Sequence, residues 1–226
     1  MANDISIIIP CYNEQDRIMK TINQIVDMLP DWNLQIVVVN DGSTDLTKHR
    51  ILEMIKLYPE IVTMVSYEDN VGKGYAVHSG FEVCKHKRRL IIDADLSVSP
   101  DYIDVLQSHY RLSGQGIIKG QRVQKVKQPM FRLFVGKSWK LLVWMLTGLW
   151  IDTQCPFTLL INLPKKFYQD LKIHGFAFDV ELIYKAQKKG YSVTKKNVIY
   201  NNTTDSKVTL RKTVEMFIDL FRIRLD

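Results

Sequence analysis

The chain is poor in cysteine, with three among its 226 residues (Cys11, Cys84 and Cys155). The number is odd and the spacing fits no metal-binding pattern. This excludes a disulfide scaffold, and a reducing compartment is the simpler expectation. Seven prolines and eleven glycines are too few for a collagen-like or Pro/Gly-rich disordered chain. Long apolar runs are also missing. The longest, Leu141 to Ile151, lies between Lys140 and Asp152 and falls short of the ~20 apolar residues a spanning helix needs. A secretory leader is not expected, because Asn3, Asp4 and Pro10 interrupt any apolar core near the start. What remains, 46% hydrophobic and 24% charged, is an ordinary globular balance and enough chain for one domain with a sizeable core.

The most informative absence is of acid. No Asp or Glu occurs from Val105 to Ile151, a stretch holding Arg111, Lys119, Arg122, Lys125, Lys127, Arg132, Lys137 and Lys140. The whole chain carries +7, so the rest of it is close to neutral. A basic region of this kind fits phosphates, nucleic acid or an anionic membrane surface, or else forms a solvated face whose acidic partners come from elsewhere in the fold.

The first hundred residues alternate between two periodicities. Ile5–Ile9, Gln35–Val39, Ile61–Val65 and Arg89–Ile92 are short apolar runs that read as buried strands. Between them, Ile18, Ile22, Ile25, Val26 and Leu29 recur at helical spacing, as do Ile51, Leu52 and Ile55. Ser43 or Thr44 is expected to cap the second helix, and the Gly72-Lys73-Gly74 loop opens a third. Strands alternating with helices imply right-handed crossovers and a mainly parallel α/β sheet flanked by helices. The second half is less regular. Gly116–Lys119, Phe157–Ile161, Tyr191–Val193 and Val198–Tyr200 read as strands, and Pro129–Trp150 and Asp179–Lys189 as helices. Leu210, Val214, Phe217, Ile218 and Phe221 form an amphipathic C-terminal helix.

In such sheets ligands bind beyond the carboxyl ends of the strands. Pro10-Cys11-Tyr12-Asn13-Glu14, Asn40-Asp41-Gly42-Ser43, Gly72-Lys73-Gly74 and Asp93-Ala94-Asp95 are all placed on that edge. Asp93 and Asp95 offer hard oxygens to Mg²⁺ or Mn²⁺, or else simply fill a turn. The glycine loop offers backbone N–H groups and an ammonium to an anion, without the spacing of a P-loop. Asp41 suits a ribose or base edge, or an Asx-turn. Asp179 and Glu181 are either site carboxylates or the charged first turn of a helix. Cys155 reads as a small buried hydrophobe.

Taken together, these stretches resemble family 2 glycosyltransferases of the GT-A fold over nearly the whole chain. Ile7-Ile8-Ile9-Pro10-Cys11-Tyr12-Asn13-Glu14, Val39-Asn40-Asp41-Gly42-Ser43-Thr44-Asp45 and Asp93-Ala94-Asp95 carry the family pattern. Asn70 to Val77, Asp93 to Ser97, Asp152-Thr153-Gln154-Cys155-Pro156-Phe157, Phe178-Asp179-Val180-Glu181 and Ser206-Lys207-Val208 resemble its dolichyl- or polyprenyl-phosphate glucosyltransferase branch.

The resemblance implies a Rossmann-like single domain, with residues 1–100 as the nucleotide-sugar half and 101–226 as the acceptor half. It implies an inverting, metal-dependent hexosyl transfer, from UDP-glucose to a polyprenyl or dolichyl phosphate. Pro10, Tyr12, Glu14 and Asp41 would hold the nucleotide, with Lys73 beside it. Asp93 and Asp95 would hold ribose, metal and diphosphate. Arg122 and Arg132 would clamp the acceptor phosphate, and Lys207 would help close the site. With a glycan or protein hydroxyl as acceptor instead, Asp179 or Glu181 is the candidate base.

Basic and aromatic residues interleave from Met130 to Met145, which suits an interfacial helix or a core helix with snorkelling ends. The expectation is peripheral attachment at the cytoplasmic face of a membrane, directly or through a membrane partner. A nucleic-acid-binding module is disfavoured, since no recognised motif appears and the acidic triplet repels phosphate without a metal.

Overall fold

The structure is a computed structural model that describes residues 3–99, 102, 114–124, 130–200 and 210–226. In the first part, β1 (Asp4–Cys11), β2 (Asn33–Asp41), β3 (Val62–Tyr67) and β4 (Arg88–Ile91) alternate with α1 (Ile18–Met28), α2 (Thr47–Leu57) and α3 (Lys73–Val83). There follow β5 (Gly116–Gln124), α4 (Met130–Thr147), β6 (Thr158–Ile161), α5 (Lys165–Gln169), α6 (Phe178–Lys188), β7 (Ser192–Tyr200) and α7 (Leu210–Leu225). The seven described strands form one sheet in the order β3-β2-β1-β4-β6-β5-β7. The pairings β1–β2, β1–β4, β2–β3 and β5–β7 are parallel, and only β6 runs against its neighbours β4 and β5.

The apolar runs form central strands because both faces of the sheet are covered. Ile7, Ile8 and Ile9 are all fully buried. Ile8, Val37 and Val39 point into one core with α3, α6 and α7, while Ile7, Ile9, Ile36 and Val38 point into the other with α1 and α2. The strands expected at Tyr191–Val193 and Val198–Tyr200 are one continuous β7 that starts at Ser192 and pairs with β5 along its whole length.

Two local expectations are corrected. Neither Ser43 nor Thr44 caps α2. The preceding residue is Leu46, which makes no side-chain cap bond, and the Asp45 carboxylate accepts the Thr47 N–H at 2.9 Å. Leu52 faces outward at 41% exposure, and Met54 takes its place inside. The C-terminal stripe faces outward. Val214, Phe217, Ile218 and Phe221 are 41–55% exposed, whereas Met216, Leu220 and Ile223 join the core. The helix carries two apolar faces, and the one that meets the sheet-covering layer is the narrower one.

Helix α4 is likewise two-sided. Trp139 and Val143 are buried, with the Trp139 ring edge-on to Phe217 at 5.8 Å, while Leu141, Trp144 and Met145 are exposed. Among the described residues no helix is long and apolar enough to cross a membrane.

Candidate active site

The carboxyl edge of β1, β2 and β4 gathers the expected loops and latches them to one another. Asn13, in the left-handed region at φ 54°, accepts the Thr44 N–H on its side-chain oxygen at 2.9 Å, and its own N–H donates to Ser43 Oγ at 3.0 Å. The Glu14 N–H donates to Thr47 Oγ1 at 2.7 Å. The Pro10-to-Glu14 loop is thereby fixed against the Asn40-to-Thr47 loop. Glu14 also pairs with Arg17 at 3.3 Å.

Asp41 organises the next loop. Its carboxylate accepts from Asn70 Nδ2 at 2.8 Å, from the Val71 N–H at 2.9 Å and from the Gly72 N–H at 3.1 Å. Gly72 itself has φ +125°, and a Cβ there would stand 2.6 Å from the His174 carbonyl oxygen, so only glycine fits. The Tyr75 N–H is taken by that same carbonyl at 3.1 Å. The Val71 and Gly72 amides are therefore committed to Asp41, and the Tyr75 amide ties α3 to residues 173–175. Of the groups expected to face an anion, the Gly72 amide is thus taken by Asp41, and Lys73 turns its ammonium to the charged centre.

Lys73 Nζ lies 2.6 Å from Asp93 Oδ1. Burial by itself would lower the Lys73 pKa, but Asp93, Asp179 and Asp95 outweigh it and hold the ammonium above its ordinary value. Asp95, two residues beyond Asp93, accepts the Ser97 N–H at 2.9 Å and so fixes the turn after β4. Leu96 in that turn has φ 48°, the left-handed region rarely adopted by a branched residue. Two carboxylates on one turn are hard-oxygen donors that fit Mg²⁺ or Mn²⁺. Among the described residues no group of three or more His, Cys, Asp or Glu gathers, so a cation here would complete its shell from diphosphate oxygens and water.

Asp179 opens α6, which the sheet brings up beneath this turn. It is 7% exposed, and its Oδ1 accepts from Lys119 Nζ at 2.7 Å. Burial pushes its carboxyl above the ordinary range, Lys119 and Lys73 oppose that shift, and Asp93 adds to it.

Glu181, the other base candidate, is corrected. It is 1% exposed, accepts the Lys172 N–H at 2.8 Å and the Ile173 N–H at 2.8 Å, and pairs with Lys185 at 2.8 Å. It builds the segment that backs Gly72 rather than meeting a substrate.

On β5, Arg122 makes a two-point pair with Asp152, Nε to Oδ2 at 2.7 Å and Nη2 to Oδ1 at 2.9 Å, and stacks 5.3 Å from the Tyr200 ring centre. Arg132 lies in α4, but its side chain is outside the described residues, as is Lys207. Cys155 is buried, and burial raises its thiol pKa to about 11, as fits a small apolar residue. Sequence reasoning missed Lys119 and Asp152 as partners within the site. Lys119 had a visible signal, a charge directly after the apolar pair Ile117-Ile118 in a strand-like run. Its burial also removes it from the basic surface to which its sequence position had assigned it.

Solved structures share this architecture. Mannosyl-3-phosphoglycerate synthase from Rubrobacter xylanophilus superimposes with a TM-score of 0.72 over 98% of this chain and 74% of that one, at 18% identity. Glucosyl-3-phosphoglycerate synthase from Mycobacterium tuberculosis, in complex with Mn²⁺, UDP-glucose and phosphoglyceric acid, superimposes with a TM-score of 0.69 over 99% and 79%, at 15% identity. At such identity the likeness concerns the fold, which is that of the GT-A glycosyltransferases.

In sequence, residues 6–147 match the profile of Glycosyl transferase family 2, more than half of the chain, and the chain belongs to that family. A dolichyl-phosphate beta-glucosyltransferase of Trichomonas vaginalis is 30% identical over 98% of this chain and 73% of that protein. The proteins of the same description from Drosophila melanogaster and Homo sapiens are 29% and 27% identical, over 97% and 99% of this chain and 74% and 76% of theirs. Family and relatives together support glycosyl transfer as the activity.

Proposed function

We propose that this chain transfers glucose from UDP-glucose, with inversion, to a polyprenyl or dolichyl phosphate at a membrane surface. The observation that carries the reading is the Lys73–Asp93 pair beside Asp95, at the carboxyl edge of a sheet whose relatives are named for glucosyl transfer to dolichyl phosphate. Pro10, Tyr12 and Glu14 line the nucleotide, and Asp41 fixes the wall against which it rests. Asp93 and Asp95 hold a divalent cation with the diphosphate, and when bound that cation stabilises charge on the departing UDP. Lys73 adds a fixed positive charge at the same place. Arg122 and Arg132 hold the acceptor phosphate, and Lys207 helps close the site. The acceptor is already ionised, so the reaction needs no strong general base.

The exposed faces of α4 and α7 bring Trp144, Met145, Phe217 and Phe221 to the surface with Lys140, Arg222 and Arg224. Apolar and basic groups mixed in this way suit peripheral docking on the cytoplasmic face of an anionic membrane.

The test is incubation with UDP-[¹⁴C]glucose, Mg²⁺ or Mn²⁺ and dolichyl phosphate, followed by organic extraction. Label in the organic phase is the expected result. None with any lipid phosphate, in a folded preparation that binds UDP-glucose, overturns the proposal.

A further inference from the structure

We infer that Lys119 is a positioning residue of this site, fixing the Asp179 carboxylate where α6 meets the Lys73–Asp93 pair. Lys119 is fully buried in β5. An ammonium in such a place is stable only when paired and fully hydrogen-bonded. Its three donors meet three acceptors: the Cys155 carbonyl oxygen at 2.7 Å, Thr158 Oγ1 at 2.8 Å and Asp179 Oδ1 at 2.7 Å. Thr158 is its direct cross-strand partner in β6, and Cys155 lies in the loop that enters β6. One bond therefore ties the ammonium to β6, one to the loop that enters it, and the third reaches out to the helix.

The direction of control follows from that asymmetry. The sheet holds Lys119, and Lys119 holds Asp179. Bonding one carboxylate oxygen also fixes the rotation of the carboxylate and so the bearing of its other oxygen. Stability alone does not require the pair, because apolar side chains of similar volume commonly serve a buried position as well or better. A positioning role accounts for a charge held at 0% exposure between two sheet neighbours.

In the glucosyltransferase reading Asp179 is not a base; its carboxylate acts on the Lys73–Asp93 pair it faces, and that effect on transfer rests on the reading, whereas its setting by Lys119 does not. The test is a double-mutant cycle of Lys119→Met and Asp179→Asn, with kcat and KM for UDP-glucose measured on each protein. Lys119→Met is expected to lower kcat by about 10- to 100-fold while KM for the donor stays within about twofold. The double variant is expected to be no slower than Asp179→Asn alone. Independent losses that multiply in the double variant, or an unchanged kcat in Lys119→Met, overturn the inference.

If Lys119→Met does not fold, Lys119→Arg enters the same cycle, since it keeps the charge and changes the donor geometry. If the unaltered chain transfers glucose to no lipid phosphate, the proposed function fails. The inference is then decided by crystal structures of the unaltered chain and the Lys119 variant. A displaced Asp179 carboxylate supports it, and an unmoved one overturns it.

Discussion

Lys73 Nζ and Asp93 Oδ1 stand 2.6 Å apart, joining the first turn of α3 to the turn that follows β4. The pair is largely covered, and Asp95 and Asp179 act on the same ammonium, so it sets the charge at this edge and adds to stability. Lys73→Met is therefore expected to lower the melting temperature modestly and kcat by about 100-fold, the scale seen when one preorganised charge-stabilising group is removed. A thermal melt beside steady-state kinetics checks both halves.

Arg122 and Asp152 meet through two parallel hydrogen bonds, Nε to Oδ2 and Nη2 to Oδ1. Charge-assisted bonds of this geometry are stronger than neutral ones. Asp152→Ala is expected to destabilise the fold by about 2 kcal/mol, read by urea denaturation. Arg122→Gln is expected to raise KM for the lipid phosphate at least tenfold, with KM for UDP-glucose within about twofold.

Gly72 tests the wall of the nucleotide loop. Its φ of +125° and its approach to the His174 carbonyl leave no room for a Cβ. Gly72→Ala is expected to lose about 1–3 kcal/mol of stability and to weaken UDP binding together with it. Denaturation and calorimetric titration with UDP give the two readings.

His78 gives a pH dependence. Burial holds its pKa down at about 4, against the ordinary 6.5; Glu181 opposes the shift, and His174 and Lys185 add to it. A base depressed on folding is neutral in the native state and protonates first in the unfolded one. Its stabilising contribution is thus full above about 6.5 and is lost as the pH falls from there toward about 4. His78→Gln is expected to flatten the stability curve in that window, measured by urea midpoints across it.

Phe217 and Phe221 stand outward on α7, at 41% and 55% exposure. Replacing both by serine is expected to reduce sedimentation with anionic vesicles by about tenfold, with a small fall in melting temperature from the lost Phe217–Trp139 contact. Unaltered vesicle binding would move the docking surface elsewhere.

The sequence carried the first hundred residues well because their strands are continuous apolar runs and their helices repeat every three to four residues. The edge motifs followed from the general position of ligand sites in parallel sheets. Pairings between distant residues were not legible. Nothing in the local pattern of Arg122 names Asp152, and Lys119 looked like one more surface cation until β5 was seen to run between β6 and β7. The C-terminal helix shows the same limit. Its apolar spacing was correct, but with two apolar faces on one helix, periodicity does not say which meets the core.

By itself the sequence determined the element types, the mainly parallel sheet and the strand-end loops, because these depend on local periodicity and turn chemistry. Only the tertiary structure decided what those loops do. It commits the amides of Val71 and Gly72 to Asp41, commits Glu181 to the loop behind them, and binds Lys119 to Asp179 across sixty residues of chain. The physical reason is that a buried charge or amide must find a partner wherever the fold supplies one, and that supply is a property of three-dimensional packing rather than of sequence order.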